Sequence, residues 1–330
     1  MGAILEARRE KSHAKLKELG KHLQDSSSLV EGKACVYSTG SYGRGEAGVH
    51  SDLDLFIAGG TAKGERGNVR RLSNLDEICL KANLIRATRK VAIMDFSGDG
   101  EYLKHYTGEE LCTKLGTPED DVLNTFTARL LLLLESRCLI GERVYAETMF
   151  KVIGAYWRDY DDHEEAFVPA YLANDILRLW RTFCVNYEAR TQDDPPEKRA
   201  KRKLKNYKLK HSRLLTCYSA LLHLAAVVVE NHTVTPEDAR RMTELTPTQR
   251  IENLPQLTKK ASRRAVAPLL QQYETFLEQT DMPEGKLVQT FMKKRTSAQY
   301  LKEARAFGDS MHNLLQLVAD GSPFYRMLLV

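Results

Sequence analysis

The chain has 330 residues, 42% of them hydrophobic, and a formal net charge of +5, which excludes a disordered or strongly polyionic protein and leaves room for two packed domains sharing a cleft. Its six cysteines are scattered with no C-x-x-C pair, which argues against a disulfide framework and a cysteine zinc site and fits a reducing cytoplasm. The first twenty residues are charged throughout, and the longest apolar runs, Leu130–Leu134 and Leu224–Val229, are too short to span a bilayer, so neither a signal peptide nor membrane insertion is expected.

Residues 3–24 place Ile4, Leu5, Leu16, Leu19 and Leu23 among many charges, which predicts a surface helix ended by Asp25–Ser28. Cys35–Tyr37 and Leu53–Ile57 are suited to strands, and they bracket a loop holding Gly40, Ser41, Gly43, Arg44, Gly45 and Gly48. Asp52 and Asp54 follow. Residues two apart in an extended strand point to one face, so the two carboxylates project side by side, an arrangement that calls for a cation between them. Mg²⁺ or Mn²⁺, hard ions that take oxygen ligands and are shared with substrate phosphates, suits such a pair. The loop's backbone amides near Gly40, the hydroxyl of Ser41 and the guanidinium of Arg44 are candidate phosphate contacts.

Gly40-Ser41, Arg44-Gly45 and Ser51-Asp52-Leu53-Asp54 followed by an apolar strand resemble the signature of the DNA polymerase β-like nucleotidyltransferases. The resemblance covers about twenty residues and is more specific than a lone glycine motif. It implies a metal-dependent transfer of a nucleoside monophosphate from an NTP to an acceptor hydroxyl, with Asp52 and Asp54 as metal ligands. It also implies a third carboxylate on the next strand, able to take the acceptor's proton. Glu101 is the first choice for that role, with Asp99 and Asp95 as alternatives.

After Asp54, the sequence suggests a glycine and lysine loop over 59–67, a helix from Leu72 to about Val91, and a strand in the second half of Asp95–Thr107 that leads into a helix at Glu109. Thr117-Pro118-Glu119 reads as a helix start. The following 123–139 segment, with five consecutive leucines, reads as a buried helix of a second domain. The expected fold is α+β, with a small mixed-sheet nucleotidyltransferase core at residues 1–115 and a larger all-helical domain at 116–330.

Within that second part, Asn174, Arg178 and Arg181 form a polar helical stripe beside Leu177, Trp180 and Cys184, and Asp175 is placed to pair with Arg178. His163, His211 and His223 lack nearby partner histidines and read as ordinary surface or core residues. Thr191–Pro196 reads as a linker. Lys198–Arg213 is strongly basic and continues into an apolar helix; a solvated surface and an RNA-binding face both fit it. By the family resemblance, Lys208, Lys210 and Ser212 are candidates for contacting the triphosphate. The acceptor is an RNA such as a tRNA 3′ end, or, on the alternative reading, a protein or small molecule; a nucleotide-binding regulatory module without turnover is the third possibility. The remainder, Thr233–Val330, is helical and punctuated by prolines, with no catalytic constellation of its own.

Overall fold

The computed structural model describes residues 2–64, 67–94, 96, 103–188, 195–258 and 260–329. It divides into two compact units, one formed by residues 6–158 and the other by residues 1–5 with 159–330.

The first unit begins with α1 (Ala3–Lys21, its first residues counted in the other unit), α2 (Gln24–Val30), β1 (Ala34–Thr39), the single turn α3 (Gly40–Gly43) and β2 (Asp54–Gly59). A hairpin of β3 (Thr61–Gly64) and β4 (Gly67–Arg70), then α4 (Asn74–Lys90), β5 (His105–Thr107) and α5 (Gly108–Thr113) follow. It closes with α6 (Glu119–Val122), α7 (Thr125–Glu135), β6 (Arg137–Ile140) and α8 (Glu142–Tyr156). The four-stranded sheet has the order β5-β2-β1-β6. β1 pairs antiparallel with both neighbours, and β2 pairs parallel with β5, so the sheet is mixed.

Strand alternation sorts the side chains between two faces. Val36, Leu53, Leu55 and Ile57 join Leu80 and Leu84 of α4 in one buried cluster with Leu19, Leu23 and Val30. Opposite them, Tyr37 stacks on Phe56 at 5.7 Å, and Tyr106 and Tyr145 extend that aromatic layer. In α7 the five leucines Leu130–Leu134 are all buried, and fully buried Arg129 is held by Asp120 at 2.6 Å and by the Tyr156 hydroxyl at 2.9 Å.

Four local expectations are corrected. Asp25–Ser28 does not interrupt the helical region but lies within α2, where Ser26 is buried and receives a hydrogen bond from Asn83. The 59–67 loop is largely strand, because β3 finds a partner in β4. The 123–139 segment is helical only from Thr125 to Glu135; Arg137 and Cys138 turn to extended backbone and pair with Ser38 and Tyr37. Its leucines therefore pack in the unit that holds the sheet, which runs well past residue 115 because β6 and α8 complete both its edge and its second face.

The second unit is helical: α9 (Ala170–Glu188), α10 (Pro196–Lys208), a π-helical segment (Leu209–Arg213), α11 (Leu214–Asn231), α12 (Pro236–Glu244), α13 (Pro247–Leu257), α14 (Lys260–Thr280), α15 (Glu284–Met292), α16 (Lys294–Ala319) and α17 (Pro323–Leu329). Pro236 and Pro247 stand in the first turns of their helices behind the capping threonines Thr235 and Thr246, where a missing N–H costs nothing. The continuous helix Pro196–Asn231 contains a stretch long and apolar enough for a membrane span, but 78% of that stretch is buried in the fold, as expected of a core helix. His211 stacks on Phe276 at 4.4 Å and on Phe307 at 4.9 Å, and His223 is buried in α11. Exposed His163 sits in a turn beside the carbonyl of Asp159.

Candidate functional site

The glycine loop leaves β1 at Thr39, the residue that pairs with Asp54 at the start of β2. Gly40 turns the chain with φ +63, and a Cβ there would lie 2.5 Å from Asp54 Oδ2. Only glycine combines that left-handed backbone with so close an approach. Gly43 has a different reason to lack a side chain, since its Cβ would meet the carbonyl oxygen of Glu135 at 2.0 Å.

Leu53, Leu55 and Ile57 belong to the buried cluster under α4, so the intervening residues alternate to the other side. Asp54 is half-buried and Asp52 exposed. Asp52 also lies close enough to Tyr42 to raise its phenol pKa, as a second cause after burial. The loop and the two carboxylates therefore form one neighbourhood. Ser41 lies within it half-buried. Its carbonyl accepts the Glu46 N–H at 2.8 Å, and its hydroxyl makes no hydrogen bond among the described residues.

Arg44 is arranged differently from its predicted role. It is buried, with Nε 3.0 Å from Glu46 Oε2 and Nη1 2.9 Å from Glu135 Oε2. Glu46 and Glu135 are buried as well. A guanidinium fork enclosed between two carboxylates neutralises them and staples the loop to the end of α7, which is a positioning role and not that of an exposed phosphate fork. Glu135 also accepts the Gly40 N–H at 3.1 Å, so that amide is already donated. Neither glutamate stands out in the sequence; Glu135 follows a leucine run and carries no local signal of its partnership with a loop 91 positions earlier.

Asp95, Asp99 and Glu101 lie outside the described residues. Among the described residues no group of three or more His, Cys, Asp or Glu side chains is placed to hold a metal ion. Asp52 and Asp54 supply two hard oxygen donors beside a loop with no room for a side chain at Gly40, and this donor set fits Mg²⁺ or Mn²⁺, which commonly take one or two carboxylates and complete their shell with water and phosphate oxygens.

In the second unit, α10 buries Ala200, Leu204 and Tyr207 and exposes Lys198, Arg199, Lys201, Lys205 and Lys208. This is an amphipathic helix whose polar face is cationic. Lys201 pairs with Glu284 at 2.7 Å, and that hydrogen bond, followed by the charges of Lys208 and Lys205, holds Glu284 below the usual carboxylate range. Lys210 and Ser212 fall in the π-helical segment, both half-buried, and the Tyr273 hydroxyl donates to Ser212 Oγ at 3.4 Å.

On α9, Asp175 and Arg178 pair at 3.9 Å. Asn174, Arg178 and Arg181 line one concavity together. The other side of the helix packs on its neighbours, with Trp180 edge-on to Tyr218 and Phe183 under the Arg213 guanidinium.

Residues 17–110 match the family model described as nucleotidyltransferase domain. The matched segment contains the glycine loop, Asp52, Asp54 and strands β1 to β5. No curated protein and no solved structure matches the chain.

Proposed function

Starting from the nucleotidyltransferase domain carried by residues 17–110, we propose that the chain moves a nucleoside monophosphate from an NTP to an acceptor hydroxyl. The observation that carries this reading is the close approach of Gly40 to Asp54 at the mouth of β2, with Asp52 on the same side of the strand. The loop backbone and the Ser41 hydroxyl orient the β and γ phosphates. Asp52 and Asp54 hold Mg²⁺ or Mn²⁺. When bound, the ion neutralises phosphate oxygens and stabilises the charge that develops on the leaving group.

The acceptor oxygen forms a bond to the α phosphorus as the bond from that phosphorus to the bridging oxygen breaks, and pyrophosphate leaves with the electron pair. The acceptor's proton passes to a carboxylate, for which Glu101, Asp99 or Asp95 remains the proposed group. Arg44, Glu46 and Glu135 keep the loop in shape and touch no substrate.

For the acceptor, the exposed cationic face of α10 favours RNA, because several lysines and arginines on one side of a rigid helix track a phosphate backbone. Lys208, Lys210 and Ser212 are proposed to contact the triphosphate. The test is incubation of the full chain with each labelled NTP, Mg²⁺ and total cell extract, followed by separation of RNA, protein and small molecules. Label in RNA supports the whole reading. Label in protein or a small molecule keeps the transfer and overturns the RNA acceptor. No label in any fraction, with NTP bound, replaces the enzyme by a nucleotide-binding regulatory module.

A further inference from the structure

Asn174, Asp175, Arg178, Arg181, Thr182 and Asn186 line a concavity of about 520 Å³ along α9. Their spacing puts them on one stripe of the helix. Val185 is the one apolar side chain beside them; the others bring two guanidiniums, two carboxamides, a hydroxyl and one carboxylate.

Three features set this stripe apart from a solvated helix face. Asp175 is buried although it lines the concavity, and it pairs with Arg178 at 3.9 Å. Arg181 is exposed and has no hydrogen bond or ion pair among the described residues, which leaves its planar fork available for an anion. The helix is also anchored in one rotation about its axis by Trp180 against Tyr218 and by Phe183 under Arg213. Arg213, whose guanidinium covers Phe183 on the packed side of the helix, belongs to the π-helical segment, a distortion that recurs at functional sites.

We infer that the α9 concavity binds a phosphate monoester or anhydride carried on a hydroxyl-rich molecule, a nucleotide or a sugar phosphate. Arg178 and Arg181 receive the phosphate, as paired guanidiniums do. Asp175 and the two asparagines receive hydroxyl groups, for which a carboxylate and carboxamides are suited acceptors. The volume is within the range of small-molecule sites. Every residue in this site belongs to the helical unit, and none of them is among the residues proposed above for nucleotidyl transfer.

The test is calorimetric titration of the full chain in EDTA with four probes: ATP, ribose 5-phosphate, adenosine and ribose. The two phosphorylated probes are expected to bind and the two unphosphorylated ones not to. Binding by ATP alone, weakened in Arg181→Gln, identifies a nucleotide site on α9; binding by ATP alone that Arg181→Gln leaves unchanged belongs to the transfer site and overturns the assignment; binding by both identifies a phosphate-ester site. Arg181→Gln, a change on the surface, should weaken ribose 5-phosphate binding at least tenfold, and Arg178→Gln with Arg181→Gln should abolish it, with unfolding temperature unchanged. Should the double variant fail to fold, Arg181→Gln alone decides. Asp52→Asn with Asp54→Asn should leave this binding intact even where transfer is lost, which separates the two readings. Failure of both phosphorylated probes to bind the unaltered chain, or wild-type affinity in Arg181→Gln, would overturn the assignment.

Discussion

Gly40 and Asp54 are matched to each other: a single carbon added to the first would come within 2.5 Å of the carboxylate of the second. Gly40→Ala therefore meets two separate penalties, a left-handed backbone worth about 1–2 kcal/mol and a steric clash with Asp54. Asp54→Ala removes the clash and leaves only the backbone strain. In a double-mutant cycle read by denaturant unfolding, the pair should be less destabilised than the sum of the single changes. Simple additivity would show that the two residues are not in contact.

Asp52→Asn and Asp54→Asn should each lower transfer by more than ~100-fold, since even outer partners of metal ligands commonly cost 10–100-fold. Neither change should destabilise the protein, because neither carboxylate is buried in the apolar cluster. Equal losses of activity and of unfolding free energy would give the pair a structural role instead.

Arg44→Ala leaves Glu46 and Glu135 buried without their shared cation. Removing one partner of a buried ion pair costs about 3–5 kcal/mol. The expected result is a large fall in stability, measured by urea unfolding. Had Arg44 been an exposed phosphate contact, the loss would fall on the KM for NTP with the fold unchanged.

The cationic face of α10 predicts opposite effects from two substitutions. Exchanging Lys201, Arg202, Lys203 and Lys205 for Gln should weaken RNA binding and flatten its dependence on salt, by up to ~0.7 in the logarithmic slope for each phosphate the helix no longer neutralises. Glu284→Gln should strengthen RNA binding, because it releases Lys201 and removes the acid beside Lys205 and Lys208. Filter binding at two salt concentrations checks both. Unchanged binding in the fourfold variant would return the helix to the role of a solvated surface.

Burial pushes His211 and His223 down from the ordinary 6.5 to about 4 each. The unfolded chain protonates these side chains first as the pH falls, so it binds more protons than the folded chain between about 6.5 and about 4. Stability should be full above 6.5, decline through that window and level off below it. His223→Gln should remove part of the decline. Unfolding curves at pH 7 and pH 4.5 for the two proteins measure it, and identical losses would exclude His223 as a contributor.

Local pattern makes the sheet-forming runs, the glycine turn, the Asp52 and Asp54 pair and the α9 stripe legible, because each is set by spacing along a few residues. Arg44 departs from its expected role for the opposite reason. Whether an arginine in a glycine loop faces water or protein depends on Glu135, and nothing local to either residue specifies the other. β6 is hidden by the same kind of dependence. Arg137 and Cys138 continue an apolar helical pattern, and only the open edge of β1 makes them a strand.

That edge decides how the molecule can be cut. A fragment ending at residue 110, where the family match ends, would lose β6, α8 and Glu135. β1 would then become a bare edge strand and an invitation to aggregation, while Arg44 and the Gly40 amide would be deprived of a shared acceptor. A fragment carried to residue 158 keeps all of these interactions. The matched segment thus leaves out Glu135, the residue that holds both Arg44 and the Gly40 amide of the glycine loop.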